Sequence, residues 1–217
     1  MTKEFAATLV VLAMIAIAVP MFIRTAIWNR FLKNIKAEKD EEALKILNSP
    51  AFKIMFGEYN RKWNLMRYYI SREKTEDVRN MTNALLYDNL SRQQAYQIFS
   101  NAYFYFISLQ DQEMTAKILE RLEPVLEEDS REQYQMLYRV MIEKKSEDID
   151  RVLQLLEEKE KEAQSYSKAS QEGMLQYLLG VQYANIGDKK ESEKWLKKAK
   201  NNVKGTPLEK EIKKLLK

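Results

Sequence analysis

The side chains available for chemistry in this chain are carboxylates, amines, hydroxyls and phenols. Histidine and cysteine are both absent from its 217 residues. That removes the usual general base, the thiolate nucleophile and the commonest metal ligands. Glu127-Glu128-Asp129 is a run of three carboxylates. Clustered carboxylates can hold Ca²⁺, but this run lacks the alternating ligand spacing and the glycine turn of a calcium loop, so it reads as a solvated acidic turn. The serines and lysines form no nucleophile–base motif, and neither G-x-x-x-x-G-K nor G-x-G-x-x-G occurs. Glu, Asp, Lys and Tyr can serve in acid–base catalysis, yet nothing here converges. The chain is therefore expected to be no enzyme, to carry no cofactor or metal, and to act by binding.

The densest aromatic run is Tyr103-Phe104-Tyr105-Phe106-Ile107. Consecutive helical residues point around the axis, so such a run suits a helix buried on both flanks. Core packing is the first reading, and an exposed aromatic groove is the rival.

Charge is modest overall, at +4, and gives no reason to expect a nucleic-acid partner. Its distribution is uneven. Phe5 to Ile23 contains no charged residue, and Arg24, Arg30, Lys33 and Lys36 follow at once. The middle is acidic and the tail, from Lys189 to Lys217, is rich in lysine. The tail reads first as solvated helix faces, and second as a contact for anionic lipid or an acidic partner. Nineteen residues of helix span roughly 28 Å, close to the hydrocarbon thickness of a bilayer. A single integral membrane span over residues 1–23 is expected. A cleaved signal peptide is the competing reading, with Ala16-Ile17-Ala18 as a possible cleavage site, but the apolar run continues beyond it. The basic flank after Ile23 places the following domain in the cytoplasm by the positive-inside rule, with an extracytoplasmic domain as the alternative.

Residues 24–217 must then supply the binding surface. Five glycines, four prolines and abundant Glu, Lys, Leu and Ala favour helix. Candidate helix starts recur at Asp40, Thr75, Asp111, Ser146 and Asp188, in steps of 35, 36, 35 and 42 residues. A period of about 34 residues belongs to helix–turn–helix arrays. Between these starts lie longer amphipathic segments. The first, Ala26–Ile35, is able to continue the membrane helix without a break. The others are Phe52–Ser71, Arg92–Leu109, Arg131–Glu143 and Ser170–Ile186. Caps are expected at Ser49, Thr75, Ser91, Asp111, Ser130, Ser146 and Asp188, with Asp188 and Glu191 as a capping box. The charged stretch Glu157–Lys168 accounts for the long last step, as an extension of the second helix of the fourth unit. Leu208–Leu216 forms a terminal helix with apolar Leu208, Ile212 and Leu215 on one face, as the end of a repeat array requires.

In the fifth unit Leu179, Gly180 and Tyr183 match an L-G-x-x-Y core, and Leu196 and Ala199 fall where a second helix carries its large and small packing residues. Here the chain resembles the tetratricopeptide repeat family. The unit departs from the pattern at Gln176, Ser192 and Lys204. The earlier units match by period and caps only, so the motif covers about residues 170–205. The resemblance implies an all-α fold: a tetratricopeptide-like solenoid of about five helix pairs with a capping helix, behind the membrane helix. It also implies a concave groove lined by the first helix of each pair. On that basis Asn60, Arg67, Asn101, Tyr105, Tyr138 and Arg139 are the expected partner-binding residues, and the expected function is a membrane-anchored adaptor for a protein or peptide. A peptide or small-ligand receptor and a structural subunit of a membrane complex are the alternatives.

Overall fold

A computed structural model describes the backbone of residues 3–216 except 164 and 206, and side chains from residue 12 to 216 except 129, 164, 166, 167, 206 and 207. The side chains of Phe5–Val11, the first part of the expected span, and of Asp129 lie outside the described residues. Among the described residues the chain is all-α, with eleven α-helices, one 3₁₀ turn and no strand. It divides into two compact units, Met1–Ile98 and Phe99–Lys217.

The first unit holds α1 (Lys3–Lys36), α2 (Asp40–Leu47), α3 (Pro50–Ser71), α4 (Thr75–Leu86) and the start of α5 (Arg92–Ser108). α1 is unbroken for 34 residues, about 51 Å at the usual rise. Its described residues up to Ile23 lie on the outside, Phe22 at 75% and Ile17 at 66% exposure. Four residues later the same helix enters a core. Phe31 is buried with Ala43, Leu47, Phe52, Leu65 and Tyr68, and Ile27, Trp28 and Ile35 pack against them. α1 is thus long and apolar enough to span a bilayer, and its far end is held by α2 and α3.

The second unit contains the rest of α5, then α6 (Gln112–Leu122), α7 (Glu128–Met141), α8 (Ile149–Glu160), α9 (Tyr166–Asn185), α10 (Lys189–Asn202) and α11 (Pro207–Leu215). The core here includes Phe99, Tyr103, Phe106, Ile118, Met136, Val152, Leu179, Leu196 and Ile212. In the aromatic run Tyr103, Phe106 and Ile107 are buried while Phe104 is 44% exposed. The run therefore supplies both core and surface. In α11, Ile212 is buried but Leu215 is half exposed, so only part of the expected apolar face is covered.

The turns within helix pairs are built alike. Glu38, Glu73, Gln110 and Gly187 are left-handed, with φ of 55°, 52°, 56° and 83°. The N–H of Glu38 donates to the Ile35 carbonyl at 3.2 Å, and that of Lys39 to Asn34 at 3.0 Å. Glu73 and Lys74 repeat this to Ile70 and Tyr69, Gln110 and Asp111 to Ile107 and Phe106, and Gly187 and Asp188 to Ala184 and Tyr183. This is the Schellman termination, which satisfies the last carbonyls of the first helix. The second helix starts two residues after the left-handed one, at Asp40, Thr75, Gln112 and Lys189. In the fourth turn Lys144 is also left-handed, at φ 58°, but α8 starts only at Ile149. The second helices therefore begin in steps of 35, 37, 37 and 40 residues.

Several local expectations change. Ser49, Asp111 and Asp188 do cap, accepting from Phe52 N at 3.1 Å, Met114 N at 3.1 Å and Glu191 N at 3.0 Å. The capping box at Asp188 is only half made. The Asp188 N–H donates to the Tyr183 carbonyl, and Glu191 pairs with Lys194 at 2.7 Å instead. The reciprocal box stands at Ser91 and Gln94, with bonds of 3.3 and 3.0 Å. Thr75 is the first helical residue after Lys74, Ser130 lies inside α7, and the Ser146 hydroxyl donates to the Gln182 carbonyl at 3.0 Å. α3 is kinked at Gly57, where φ is 82° and ψ 160°. Glu157–Lys168 does not extend one helix. α8 ends at Glu160, and α9 starts at Tyr166, four residues before the expected Ser170. Buried Lys168 holds this junction, its Nζ donating to the carbonyls of Glu160 at 3.0 Å and Glu162 at 2.8 Å.

Candidate functional site

Two concavities offer receptacles, one in each unit. In the second unit a cavity of about 290 Å³ lies among α5, α7, α8 and α9. Phe104 and Tyr134 form one wall, Leu137, Leu155, Met174, Leu175 and Leu178 the apolar floor, and Gln133, Lys159 and Gln171 its polar members. The wall is fixed from behind. The Tyr103 hydroxyl donates to the Tyr134 carbonyl at 2.6 Å, and the Tyr134 ring lies 5.0 Å from Tyr103 and 5.6 Å from Phe104. Burial pushes the Tyr103 phenol far above its ordinary range, so it stays a donor.

The α7–α8 connection is pinned by a polar cluster. Arg139 grips Asp148 through Nε at 2.9 Å and Nη2 at 2.6 Å. The Asp148 N–H in turn donates to Gln182 Oε1 at 3.1 Å, and Asn185 Nδ2 donates to the Val140 carbonyl at 3.2 Å. α8 is tied back to α7 by Arg151, bidentate on Glu132 with two bonds of 2.9 Å. Such forks fix orientation as well as distance.

In the first unit an open pocket of about 470 Å³ lies between α1 and α3. Arg24, Thr25 and Trp28 come from α1, and Phe56, Asn60, Trp63, Asn64 and Arg67 from α3. The Arg24 guanidinium lies over the Phe56 ring at 4.8 Å, and Arg67 over Trp63 at 5.6 Å. Asn60 Nδ2 donates to the Phe56 carbonyl at 2.6 Å and Asn64 Nδ2 to the Asn60 carbonyl at 2.7 Å, which anchors both amides on α3.

Of the six residues expected to face a groove, Asn60 and Arg67 share this pocket. Asn101 is exposed and Tyr105 half-buried on α5, and neither lines either of these two concavities. Tyr138 is half-buried outside both. Arg139 is engaged by Asp148. Of the repeat-packing residues, Leu179, Gly180, Leu196 and Ala199 are buried and Tyr183 is half-buried. Gln133, Lys159 and Gln171 were not singled out by sequence reasoning. Their signal is faint: Lys159 stands four residues after Leu155, and Gln171 three and four before Met174 and Leu175, so each borders an apolar helix face only through helical spacing. Among the described residues no group of three or more carboxylates is placed to hold a metal ion.

Comparison with known families, with curated proteins and with solved structures finds no match to this chain.

Proposed function

We propose that this protein is a membrane-anchored, tetratricopeptide-like adaptor that holds a segment of another protein beside a bilayer. The observation that carries the reading is the continuity of α1, in which outward-facing apolar residues up to Ile23 run without a break into the buried Phe31. A helix of this kind is both anchor and core element. It ties the domain to the bilayer and raises its concentration near membrane partners. Removal of the apolar part as a signal peptide would cut within this helix near Ala18. The repeated Schellman turns and the 35–40-residue steps support a stacked array of helix pairs. The cavity of about 290 Å³ supplies an apolar receptacle with three polar members, suited to a partner's apolar side chains. The basic flank of α1 favours the cytoplasmic side for the domain.

The test uses the full chain in its native membranes. A photo-crosslinking residue at Gln171 should give discrete adducts with a partner, and one at exposed Lys197 should give none. Met174→Trp, which fills the cavity, should abolish the Gln171 adducts while the chain remains in the alkaline-washed membrane pellet. Equal adducts from Gln171 and Lys197 would refute the cavity as the receptacle. Extraction of the whole chain by alkaline wash would refute the anchor.

A further inference from the structure

We infer that the pocket between α1 and α3 is a binding site for the phosphate group of an anionic phospholipid. The inference rests on the reading of α1 as a membrane span. Three features of the pocket converge. The first is height. Arg24 is the first charged residue after the uncharged run that ends at Ile23, on the same unbroken helix. Trp28 lies one turn further, about 6 Å along the axis. A pocket bounded by the turn that leaves the hydrocarbon lies at the level of the lipid headgroups, where Trp side chains also settle.

The second feature is charge. Arg24 and Arg67 have no carboxylate partner among the described residues, and their guanidinium contacts are with Phe56 and Trp63. Nearby arginines of α3 and its end are committed, Arg61 to Glu58 at 2.6 Å and Arg72 to Asp40 at 3.0 Å. Two uncommitted guanidinium groups in one concavity attract an anion, and their planar forks match phosphate oxygens.

The third feature is preparation. Each guanidinium rests on an aromatic face, which limits its rotamers and leaves its N–H edges available. Soluble phosphate esters share this chemistry. The lipid is favoured because the pocket is open rather than enclosed and adjoins the apolar span, so acyl chains remain in the bilayer while the phosphate is held.

The experiment reconstitutes the full chain in vesicles and in nanodiscs of phosphatidylcholine, with and without phosphatidylglycerol. Lipids retained on the protein are counted by native mass spectrometry. Wild type should retain phosphatidylglycerol over phosphatidylcholine. R24Q and R67Q should each lower that selectivity by about tenfold or more, as expected for loss of charge-assisted hydrogen bonds. R67K, which keeps the charge but not the fork, should fall between. R30Q, on the same basic flank but outside the pocket, should lose no more than about fivefold, the share of diffuse attraction. An R30Q loss equal to that of R67Q overturns the site, as does wild type without selectivity. A glycerol phosphate-induced rise in melting temperature of the detergent-solubilised chain that R67Q abolishes, without lipid selectivity, assigns the pocket to a soluble ester and overturns the lipid. Vesicle flotation separates the two readings. A chain that fails to float with any vesicle removes the anchor and this inference together, whereas one that floats with both compositions but shows no selectivity removes this inference alone. If R24Q fails to fold, by circular dichroism, the R67Q and R67K pair decides.

Discussion

A methyl group on Gly180 would lie 2.6 Å from Leu196 Cγ and 2.7 Å from its Cδ2. The helix α9 therefore meets α10 at a distance only a glycine allows. Gly173, two turns earlier on the same face, repeats the arrangement against Val203 Cγ1 at 2.5 Å. Gly180→Ala should lower stability by about 1–3 kcal/mol through overpacking. That sign is opposite to the gain of about 1 kcal/mol which alanine brings to an unconstrained helix. Leu196→Ala alone should also destabilise. The double substitution should cost less than the sum, because the smaller side chain makes room for the new methyl. Thermal melts of the four proteins in detergent measure the coupling, and strict additivity would show that the contact is not the cause.

The left-handed turn residues allow gains as well as losses. Glu38, Glu73 and Gln110 occupy the backbone conformation that Gly187 occupies without strain. Each of the three should stabilise on replacement by glycine, by up to about 1 kcal/mol. Gly187→Ala should destabilise by a similar amount. The four changes lie in separate turns, so their effects on melting temperature should be additive, with the smallest gain at Gln110, whose amide donates to the Ile107 carbonyl at 3.2 Å and accepts from Lys144. A fall in melting temperature on Glu73→Gly would mean that the side chain contributes more than the strained backbone costs.

These turns also mark where the sequence was legible and where it was not. Helix starts near Asp40, Thr75, Asp111 and Asp188 were readable because acidic or capping residues precede apolar periodicity, and the unbroken course of α1 was readable from apolar Ile27, Phe31 and Ile35. The kink at Gly57 was not, since Phe52, Met55, Phe56 and Tyr59 keep a spacing that a straight helix would also show. Ser146 resembled a cap by residue type, but its hydroxyl is drawn to the Gln182 carbonyl of α9, a partner 36 residues away. Lys168 belonged to a charged run that suggested solvent, yet it is buried, its ammonium donating to the carbonyls of Glu160 at the end of α8 and Glu162 in the connection, with the Glu172 carboxylate 3.5 Å away. Asn60 and Arg67 were named with four other first-helix residues, and nothing in their types or spacing set these two, which line the α1–α3 pocket, apart from the rest. Arg24 was noted only as a flanking charge, because its place in the same pocket depends on how α1 packs against α3.

The Arg139–Asp148 pair should matter through the chain that it organises. Asp148 is largely buried and Arg139 about a quarter exposed. Asp148→Ala leaves the guanidinium without its fork and frees the α7–α8 connection. A loss of about 1–3 kcal/mol is expected, below the range for a wholly buried pair because water reaches the arginine. Arg139→Met should cost at least as much as Asp148→Ala, since it leaves the largely buried Asp148 carboxylate without its partner, whereas the part-exposed Arg139 guanidinium keeps water and Glu147 at 3.5 Å when Asp148 is removed. Amide hydrogen exchange should rise first in residues 142–148. Unchanged exchange there in the Asp148 variant would separate the pair from the connection.

The kink in α3 carries a pH dependence of known sign. Glu58 follows Gly57 and is paired with Arg61 at 2.6 Å and with Lys53, on the other side of the kink, at 3.3 Å. The Arg61 hydrogen bond, helped by Lys53, holds the Glu58 carboxyl at about 2, below its ordinary 4.5. A carboxylate with a depressed pKa stabilises the fold above its unfolded value, and that contribution is lost as pH falls through the folded one. The difference in melting temperature between wild type and Glu58→Gln should therefore be constant above about pH 5.5, shrink from there, and vanish near pH 2. The effect should be small, because Glu58 is more than a third exposed and solvent screens the pair, and added salt should reduce it further. A difference that persists unchanged at pH 2 would assign the effect of the substitution to the helix backbone at the kink rather than to the ion pairs across it.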